Sequence, residues 1–214
     1  MNPELKKRFF DLFIAIPAAI IFCPIMLCIS GLIRVTMGKP VVFKQKRPGL
    51  YGKPFTIYKF RTMTSYCDGN GYLLPDSERL TTLGKLLRSS SLDELPGLLN
   101  VIKGDMSLVG PRPLLMEYLD RYLPEHARRH EVKPGITGWA QIHRRQEIPF
   151  SKRILLDLWY IDNRSLGLDL RILFVSVSKL LKAEGVILGQ DVREVDDLGL
   201  SKGLVHTKGG KKEE

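Results

Sequence analysis

Residues 9–33 read FFDLFIAIPAAIIFCPIMLCISGLI, an apolar run in which Asp11 is the one charged side chain. A continuous helix of about 25 residues reaches roughly 37 Å, more than the hydrocarbon core of a bilayer at about 30 Å. Pro24 lies near the middle of the run, and together with Pro17 it removes backbone donors and bends a helix. If the helix is broken at Pro24, its halves are roughly 22 Å and 14 Å long, and neither half crosses the core.

Basic residues flank this run on both sides. Those before it are Lys6, Lys7 and Arg8, and those after it are Arg34, Lys39, Lys44, Lys46 and Arg47. Because positive charge favours the cytoplasmic side of a membrane, both ends are expected on that side. Residues 1–36 are therefore predicted to form a re-entrant anchor, a helix–break–helix that enters one leaflet and returns. A proline-kinked spanning helix is the alternative. A secretory signal fits less well, because the apolar part is too long and no small-residue cleavage site follows it.

The composition bounds the size of the protein and the kind of partner it binds. The chain has 214 residues, enough for one substantial domain with a real core. Its 33 Lys and Arg against 23 Asp and Glu give a net charge of +10, which favours an anionic partner such as nucleic acid, anionic lipid or a phosphate-rich substrate. Three cysteines cannot form a disulfide framework, so a reducing compartment is expected.

After the anchor, the pattern predicts an α+β chain that is mostly helical. Residues 41–61 read as a β-hairpin with a proline- and glycine-rich turn. Helices are expected near 78–90, 92–102, 114–131, 151–162 and 169–184, with 109–113 extended and 133–141 a loop. The third of these helices should break or restart at Pro124. We place His126 and His130 on its solvated surface rather than in a metal site, because no third ligand lies nearby.

Three segments are expected in all. The anchor is followed by a catalytic domain over residues 37–190, and then by a polar, poorly ordered tail over 191–214. The last helix, which contains LRILFVSVSKLL, is apolar over most of its surface. Core packing explains most such residues. Beside an N-terminal anchor, however, some of these amphipathic helices are expected to lie in the headgroup plane of the membrane.

Residues 89–100, SSSLDELPGLLN, contain two adjacent carboxylates, Asp93 and Glu94. A structural interpretation is available, because Ser91 and Glu94 have capping-box spacing and Asp93 could equally be the N-cap. A chemical interpretation comes from the basic residues elsewhere in the chain. Lys59 and Arg61 share a strand face, Arg88 ends a short helix, and Arg112 is fixed between Pro111 and Pro113. A carboxylate near several cations suits phosphoryl transfer, in which it could hold Mg²⁺, attack phosphorus, or do both.

At SLDELPGLLNVIKGDMSLVGPRPLL the chain resembles the bacterial sugar transferases, specifically the small monotopic phosphoglycosyl transferases. The resemblance covers about residues 4–184 and rests on several motifs in the same order. Besides that stretch, the motifs are KRFFD (7–11), VVFKQKRPG (41–49), YKFRTM (58–63), RRHEVKPGITGWAQ (128–141) and LDLRIL (168–173).

The resemblance implies a role for each matched residue. Asp93 would be the nucleophile and lie near Mg²⁺, and Glu94 would be its catalytic partner. The remaining matched residues would bind the substrate phosphates and the uridine: Lys59, Arg61, Arg88, Pro111, Arg112 and Pro113. The implied reaction is ping-pong. Asp93 attacks the sugar-linked phosphorus of a UDP-sugar, UMP leaves, and polyprenyl (undecaprenyl) phosphate takes the sugar phosphate from the aspartate.

The resemblance also implies a location and exposes departures. The enzyme would lie at the bacterial inner (cytoplasmic) membrane with its catalytic domain facing the cytoplasm, as a possible homo-oligomer. Where relatives break the membrane helix at Ser-Pro, this chain has Cys23 and Pro24. His143 and Arg144 stand where many relatives have an Asn-Gly-Arg segment, and this loop is a candidate for selecting the sugar.

Two other functions stay open on the sequence. A membrane-tethered basic module could bind anionic lipid or nucleic acid. The adjacent acids Asp93 and Glu94 and the motif GPRP (110–113) would then have no role. Nucleic acid is not expected as a partner, since aromatic residues are only faintly interleaved with the basic ones. A Mg²⁺-dependent phosphohydrolase would use Asp93 as a metal ligand only, with water as the attacking group.

Overall fold

The computed structural model describes residues 2–143, 148–181 and 196–202. The fold is mostly helical, with two small sheets. The α-helices are α1 Pro3–Thr36, α2 Asp76–Arg79, α3 Thr82–Ser89, α4 Gly97–Lys103, α5 Pro124–Ala127, α6 Trp139–Ile142, α7 Phe150–Asn163 and α8 Leu166–Leu181. The strands are β1 Val42–Pro48, β2 Pro54–Phe60, β3 Ser107–Val109 and β4 Gly135–Thr137.

The predicted hairpin is confirmed. β1 pairs antiparallel with β2 from Val42↔Phe60 to Pro48↔Pro54, and a short 3₁₀ turn joins the strands. The second sheet was not predicted, because β4 falls within the expected loop 133–141. Here β3 and β4 pair in parallel. The approach beside them requires glycine: a Cβ on Gly138 would lie 2.2 Å from the carbonyl oxygen of Gly110.

α1 is a single helix that continues through Pro17 and Pro24, and by length and composition it could cross a membrane. The predicted break of helical backbone at Cys23 and Pro24 is therefore wrong. A proline removes one backbone donor, but in apolar surroundings every other backbone group still needs an internal partner, which favours helix on both sides of the proline. Whether the helix enters one leaflet and returns stays a prediction.

A buried charge cluster fastens the N-terminal half of α1 to the rest of the molecule. Lys7 Nζ lies 2.8 Å from Asp11 Oδ1 and 2.8 Å from Asp169 Oδ2 on α8. Asp11 also accepts a hydrogen bond from the backbone N–H of Leu108 in β3, and Tyr160 of α7 donates to Asp169. The two carboxylates are each 2% exposed, so their pairing with Lys7 offsets the cost of burying charge.

Further contacts extend along both halves of α1. Arg8 donates to the carbonyl oxygens of Val101 and Ile102, near the C-terminal end of α4, where a positive charge stabilises a helix. On the other side of Pro24, Ile29 and Ile33 are buried in one cluster with Phe60 and Leu87. The two halves of α1 therefore pack against a single body.

The remaining surface of α1 is apolar and exposed, and so are parts of α7 and α8. The side chains of Phe13 and Val35 on α1 are 82% and 85% exposed. Leu155 on α7 and Phe174 on α8 are 60% and 77% exposed. Exposed apolar surface on this scale, on several helices, is typical of a membrane contact.

Other helices differ from the expectation in their bounds or continuity. The expected helix 92–102 is a 3₁₀ turn, Leu92–Glu94, followed by α4, and the expected helix 78–90 is divided into α2 and α3. The expected helix 114–131 is wrong as one element: it consists of 3₁₀ turns at Met116–Arg121 and Arg128–His130 with α5 between them. The restart at Pro124 and the last two helices are confirmed, the final one through Leu181; residues 182–184 of that prediction lie outside the described residues.

His126 and His130 were predicted to be solvated, and this prediction is wrong. They are 9% and 8% exposed. The physical reason is the replacement of a surface helix by short turns, which bring both rings against the body. Burial and the charge of Arg129 lower the pKa of His130 to about 4, so the imidazole is neutral at pH 7.

The tail prediction is wrong for residues 196–202. Leu200 is 2% exposed and packs in a cluster with Leu114, Tyr118, Phe150 and Ile154. Arg121 Nη1 donates to the carbonyl oxygens of Leu200 and Lys202 at 2.6 and 2.7 Å. Leu200, the partly buried Leu198 that packs on the same cluster, and these backbone contacts fix a segment whose composition is otherwise polar. The rest of the tail lies outside the described residues.

Candidate active site

Asp93 and Glu94 lie in the 3₁₀ turn Leu92–Glu94, just before α4. The predicted capping box is absent. Ser91 has left-handed backbone geometry with φ of 53°, and neither its side chain nor that of another residue caps this turn. The left-handed residue reverses the chain after α3, so that the turn points its acids toward β2 and the segment that follows β3.

Glu94 binds two of the predicted cations at once. Lys59 Nζ and Arg112 Nη2 each lie 2.7 Å from Glu94 Oε1. Burial alone would raise the pKa of Glu94, but Arg112 and Lys59 hold it well below its usual range. In return, the carboxylate raises the pKa of Arg112 against the effect of burial. For Lys59 the balance is different: burial and Arg112 lower its pKa, and Glu94 only opposes them.

Asp93 is 9% exposed. Burial and the neighbouring charge of Glu94 raise its pKa, and the cations Lys59, Arg112 and Arg88 oppose that rise. Within the described parts of the chain, no hydrogen bond or ion pair is formed by the Asp93 carboxylate. Its oxygens therefore remain available to an electrophile or a cation, while Glu94 is occupied by the basic side chains.

Arg88 reaches the site from α3, which packs closely on the chain after β2. Arg88 Nε donates to Thr62 Oγ1 at 3.1 Å. One turn earlier on the same helix, a Cβ on Gly84 would lie 1.9 Å from the carbonyl oxygen of Thr62. Glycine at position 84 is what allows α3 to come close enough for this contact.

Arg61 is the predicted site residue that the structure does not bring to this cluster. Its guanidinium donates to the carbonyl oxygens of Met63, Met37 and Lys39 and to Ser65 Oγ. It therefore holds the chain after α1 to the chain after β2. Its predicted contact with phosphate stays a prediction.

Pro111 and Pro113 are buried on either side of the partly exposed Arg112. Residues 110–115 form neither helix nor strand, in agreement with the expected extended segment. Gly135 N donates to the carbonyl oxygen of Pro111 at 3.0 Å, which continues the pairing of the second sheet. The side chain of Arg112 thereby projects from a stiff segment toward Glu94.

Sequence reasoning missed two residues that hold this site together. Asn100 is fully buried; its Oδ1 accepts from Tyr58 N at 3.1 Å and its Nδ2 donates to Thr56 O at 2.7 Å, which fastens β2 to α4. Arg129 donates to the carbonyl oxygen of Arg112. A single polar residue in the apolar run of α4 was a usable signal for Asn100. Nothing in the sequence distinguishes Arg129 from its exposed neighbour Arg128.

A third missed residue, Arg47 on β1, adds to the positive charge near Arg112. Burial and the charge of Arg112 lower the pKa of Arg47 to about 10. The loop predicted to select the sugar is described only in part. His143 packs on Trp139 with ring centroids 4.3 Å apart, and Arg144 lies outside the described residues.

The described ranges contain no group of three or more His, Cys, Asp or Glu side chains that could hold a metal ion. Asp93 is the one carboxylate here with free oxygens, since Glu94 binds two cations. Mg²⁺ commonly uses one or two protein carboxylates together with substrate phosphates. The donor set is therefore compatible with Mg²⁺ that arrives with a phosphate substrate, and it does not form a closed protein site.

Comparison with known proteins gives a family match over most of the chain. A sequence model of the family described as bacterial sugar transferase matches residues 3–183. The chain is also 58% identical over 182 residues to the uncharacterized sugar transferase EpsL of Bacillus subtilis, a match that covers 85% of this chain and 90% of that protein.

Two relatives with more specific names are similar over nearly the same part of the chain. The UDP-glucose:undecaprenyl-phosphate glucose-1-phosphate transferase of Caulobacter vibrioides is 39% identical, over 85% of this chain and 72% of that protein. The UDP-N-acetylgalactosamine-undecaprenyl-phosphate N-acetylgalactosaminephosphotransferase of Aeromonas hydrophila is 40% identical, over 84% of this chain. The chain spans only 44% of the length of the Aeromonas protein.

The Glu94 contacts predict a loss of stability on Glu94→Gln. The amide removes the negative charge between two largely buried cations, and we expect the unfolding midpoint in detergent to fall by about 5 °C. Glu78→Gln is the matched control, because Glu78 is exposed on α2 and the same chemical change there should leave the midpoint within about 1 °C of wild type. Equal midpoints for the two variants would contradict this account of the ion pairs.

Proposed function

Because the chain belongs to the bacterial sugar transferase family, we propose that it transfers a sugar 1-phosphate from a UDP-sugar to polyprenyl phosphate. The products are UMP and a polyprenyl-diphosphate-linked sugar, and undecaprenyl phosphate is the acceptor that the names of the relatives suggest. The identity of the sugar differs between those names, so the proposal is for the reaction class.

The observation that carries the proposal is the difference in bonding between the adjacent acids Asp93 and Glu94. Glu94 binds Lys59 and Arg112, whereas the buried Asp93 carboxylate has no partner among the described residues and faces the same cations. A diphosphate entering between them meets positive charge for its oxygens and a carboxylate for its phosphorus. A module that only binds lipid or nucleic acid would need cations such as Lys59 and Arg112, but it would have no use for the unpaired carboxylate of Asp93.

In the proposed first step, an Oδ atom of Asp93 attacks the sugar-linked phosphorus of the UDP-sugar. A bond forms between Asp93 and phosphorus, the bond from phosphorus to the bridging oxygen breaks, and that oxygen leaves with the electron pair as part of UMP. Arg112, Lys59 and Arg88 offset the negative charge that shifts toward the leaving phosphate. Arg112 can present a forked donor to phosphate or uracil oxygens, since its main chain is held between two prolines.

In the second step, an oxygen of polyprenyl phosphate attacks the same phosphorus and the Asp93 carboxylate is released. The acceptor is a phosphomonoester, whose second pKa near 6 leaves it largely ionised at neutral pH, so the step needs no strong base. Mg²⁺ held by Asp93 and the substrate diphosphate would supply charge neutralisation when bound. Arg112, Lys59 and Arg88 then bind and orient the phosphate groups, and the residues around them exclude water from the phosphorus.

We also propose that α1 enters one leaflet at the cytoplasmic face of the bacterial inner membrane and returns, as one helix that bends at its prolines without a break in helical backbone. About 21 residues of helix separate Arg8 from Ile29, roughly 31 Å if straight, which is the thickness of a hydrocarbon core. Yet Arg8 and Ile29 both pack against the same body. A helix that crossed the bilayer would carry one of these contacts to the far side. Insertion into one leaflet keeps both and sets the site at headgroup depth, where the acceptor phosphate lies.

The transferase proposal predicts multiple-turnover UMP release that depends on one sugar, on lipid acceptor and on Asp93; without acceptor, release should stop at about one UMP per enzyme. Detergent-solubilised protein with Mg²⁺ and undecaprenyl phosphate would be assayed with UDP-glucose, UDP-N-acetylgalactosamine and other UDP-sugars. Asp93→Asn should lower UMP release on the order of 10³-fold or more, because the amide is not a nucleophile. The exposed Asp120→Asn is the matched control and should retain wild-type activity.

Three outcomes separate the candidate functions. Continued turnover of UDP-sugar to UMP without lipid product would favour the phosphohydrolase, in which water attacks. No UMP from any sugar, in protein shown to be folded, would favour the binding module. Full activity in Asp93→Asn would exclude Asp93 as the nucleophile.

The anchor proposal predicts that residue 2 and the catalytic body lie on the same side of the membrane. In a background with Cys23, Cys28 and Cys67 replaced by Ser, Asn2→Cys and Glu78→Cys would be exposed to a membrane-impermeant maleimide. Both should react in inverted vesicles and neither in intact spheroplasts. Labelling of Asn2→Cys from the outside, with Glu78→Cys protected, would establish a spanning helix instead.

A further inference from the structure

The main chain around Arg112 is held differently on its two sides. Before Arg112, backbone pairing fixes the chain: Gly110 N donates to Thr137 O at 2.9 Å, and Pro111 O accepts from Gly135 N at 3.0 Å. From Arg112 onward the segment has left the sheet, and Pro113 has no N–H to contribute. The carbonyl oxygen of Arg112 is instead bound by a side chain, Nη2 of Arg129, at 2.9 Å.

Arg129 is a buried side chain that hydrogen-bonds to three separate parts of the chain. It is 3% exposed, and the same Nη2 also donates to Asp157 Oδ2 on α7 at 2.7 Å. Nη1 donates to the hydroxyl of Tyr122 at 3.1 Å. One rigid, planar guanidinium thus joins the Arg112 backbone, α7 and the chain before α5. A lysine has a single nitrogen on a flexible stem and cannot reproduce this set.

The energetics make a purely stabilising role a poor explanation. Desolvating a buried ion pair can cost as much as the pair returns, so the burial of Arg129 with Asp157 is weak evidence for a stability function. The ion pair with Asp157 fixes the Arg129 guanidinium against the carbonyl oxygen of Arg112. The side chain of Arg112 in turn lies 2.7 Å from Glu94. A displacement of the Arg112 main chain would displace its guanidinium as well. Misplacing a substrate-binding group by about 1 Å can lower the rate about 10²-fold.

We propose that Arg129 is a positioning residue for the transfer reaction: held by Asp157, it fixes the backbone of Arg112 so that the Arg112 guanidinium meets both Glu94 and the substrate. The inference rests on the proposed function for its effect on catalysis. Arg129 itself touches no reacting group, and its effect runs entirely through Arg112.

The test has a structural readout and a kinetic one. Arg129→Lys keeps the charge and removes the fork, and Arg128→Lys is the matched control, since Arg128 pairs with Glu131 and Asp162 at the surface. Hydrogen exchange in peptides spanning residues 109–118 should rise about tenfold in Arg129→Lys and stay at the wild-type rate in Arg128→Lys. Asp157→Asn keeps an oxygen acceptor for Arg129 without the charge; it should show the same pattern with smaller changes, and it serves if Arg129→Lys does not fold.

The kinetic readout is a double-mutant cycle with Arg112→Lys, measured as kcat/KM for the UDP-sugar. Arg129→Lys alone should lower kcat/KM about tenfold or more, and it should add less than about twofold once Arg112 is already Lys. A general loss of stability would lower activity by the same factor in both backgrounds.

The outcomes separate this inference from the proposed function. Wild-type exchange in Arg129→Lys, or additive losses in the cycle, would overturn the positioning role even if the wild type releases UMP. A wild type that releases no UMP, together with raised exchange in Arg129→Lys, would reject the transferase proposal and still support the hold of Arg129 on the Arg112 segment.

Discussion

The geometry of the site depends on one carboxylate that keeps two cations together. Lys59 comes from β2 and Arg112 from the proline-flanked segment after β3, and each lies 2.7 Å from the same oxygen of Glu94. Without that charge the two cations would repel each other in a largely buried setting. Their attraction to Glu94 is also what brings three separate stretches of chain around Asp93. The acid that completes the cluster is thus distinct from the acid that is free to react.

The frame around this cluster is built to resist displacement. Asn100 fastens β2 to α4, Gly84 lets α3 approach the chain that follows β2, and Arg129 holds the carbonyl of Arg112. At a greater distance, Lys7 lies between Asp11 and Asp169 and joins α1 to α8. β3 therefore connects α1 to the site. Leu108 in β3 donates to Asp11 of α1, and the segment that carries Arg112 follows directly after the same strand. Such a connection fixes the height of the site relative to the apolar helix.

Local sequence rules predicted some of these features well. The hairpin followed from alternation and a proline- and glycine-rich turn, and the last two helices followed from apolar spacing. Other predictions failed where distant contacts decide the outcome. Ser91 and Glu94 have capping-box spacing, yet Glu94 binds two cations from elsewhere in the chain. Pro24 predicted a broken helix, but the apolar helix continues through it. Leu200 sits in a polar tail and is nevertheless buried. Asp93 was recognised through its motif, while Asn100 and Arg129 required the three-dimensional structure.

The nucleophilic role of Asp93 is tested most directly by looking for the covalent intermediate. Detergent-solubilised protein would be incubated with Mg²⁺ and the UDP-sugar that supports turnover, without polyprenyl phosphate, and then digested for mass spectrometry. We expect a sugar phosphate on the peptide that contains Asp93, which disappears on addition of undecaprenyl phosphate and is absent from Asp93→Asn. An unmodified Asp93 peptide in protein that still turns over, or a sugar phosphate on another residue, would contradict a nucleophilic role for Asp93.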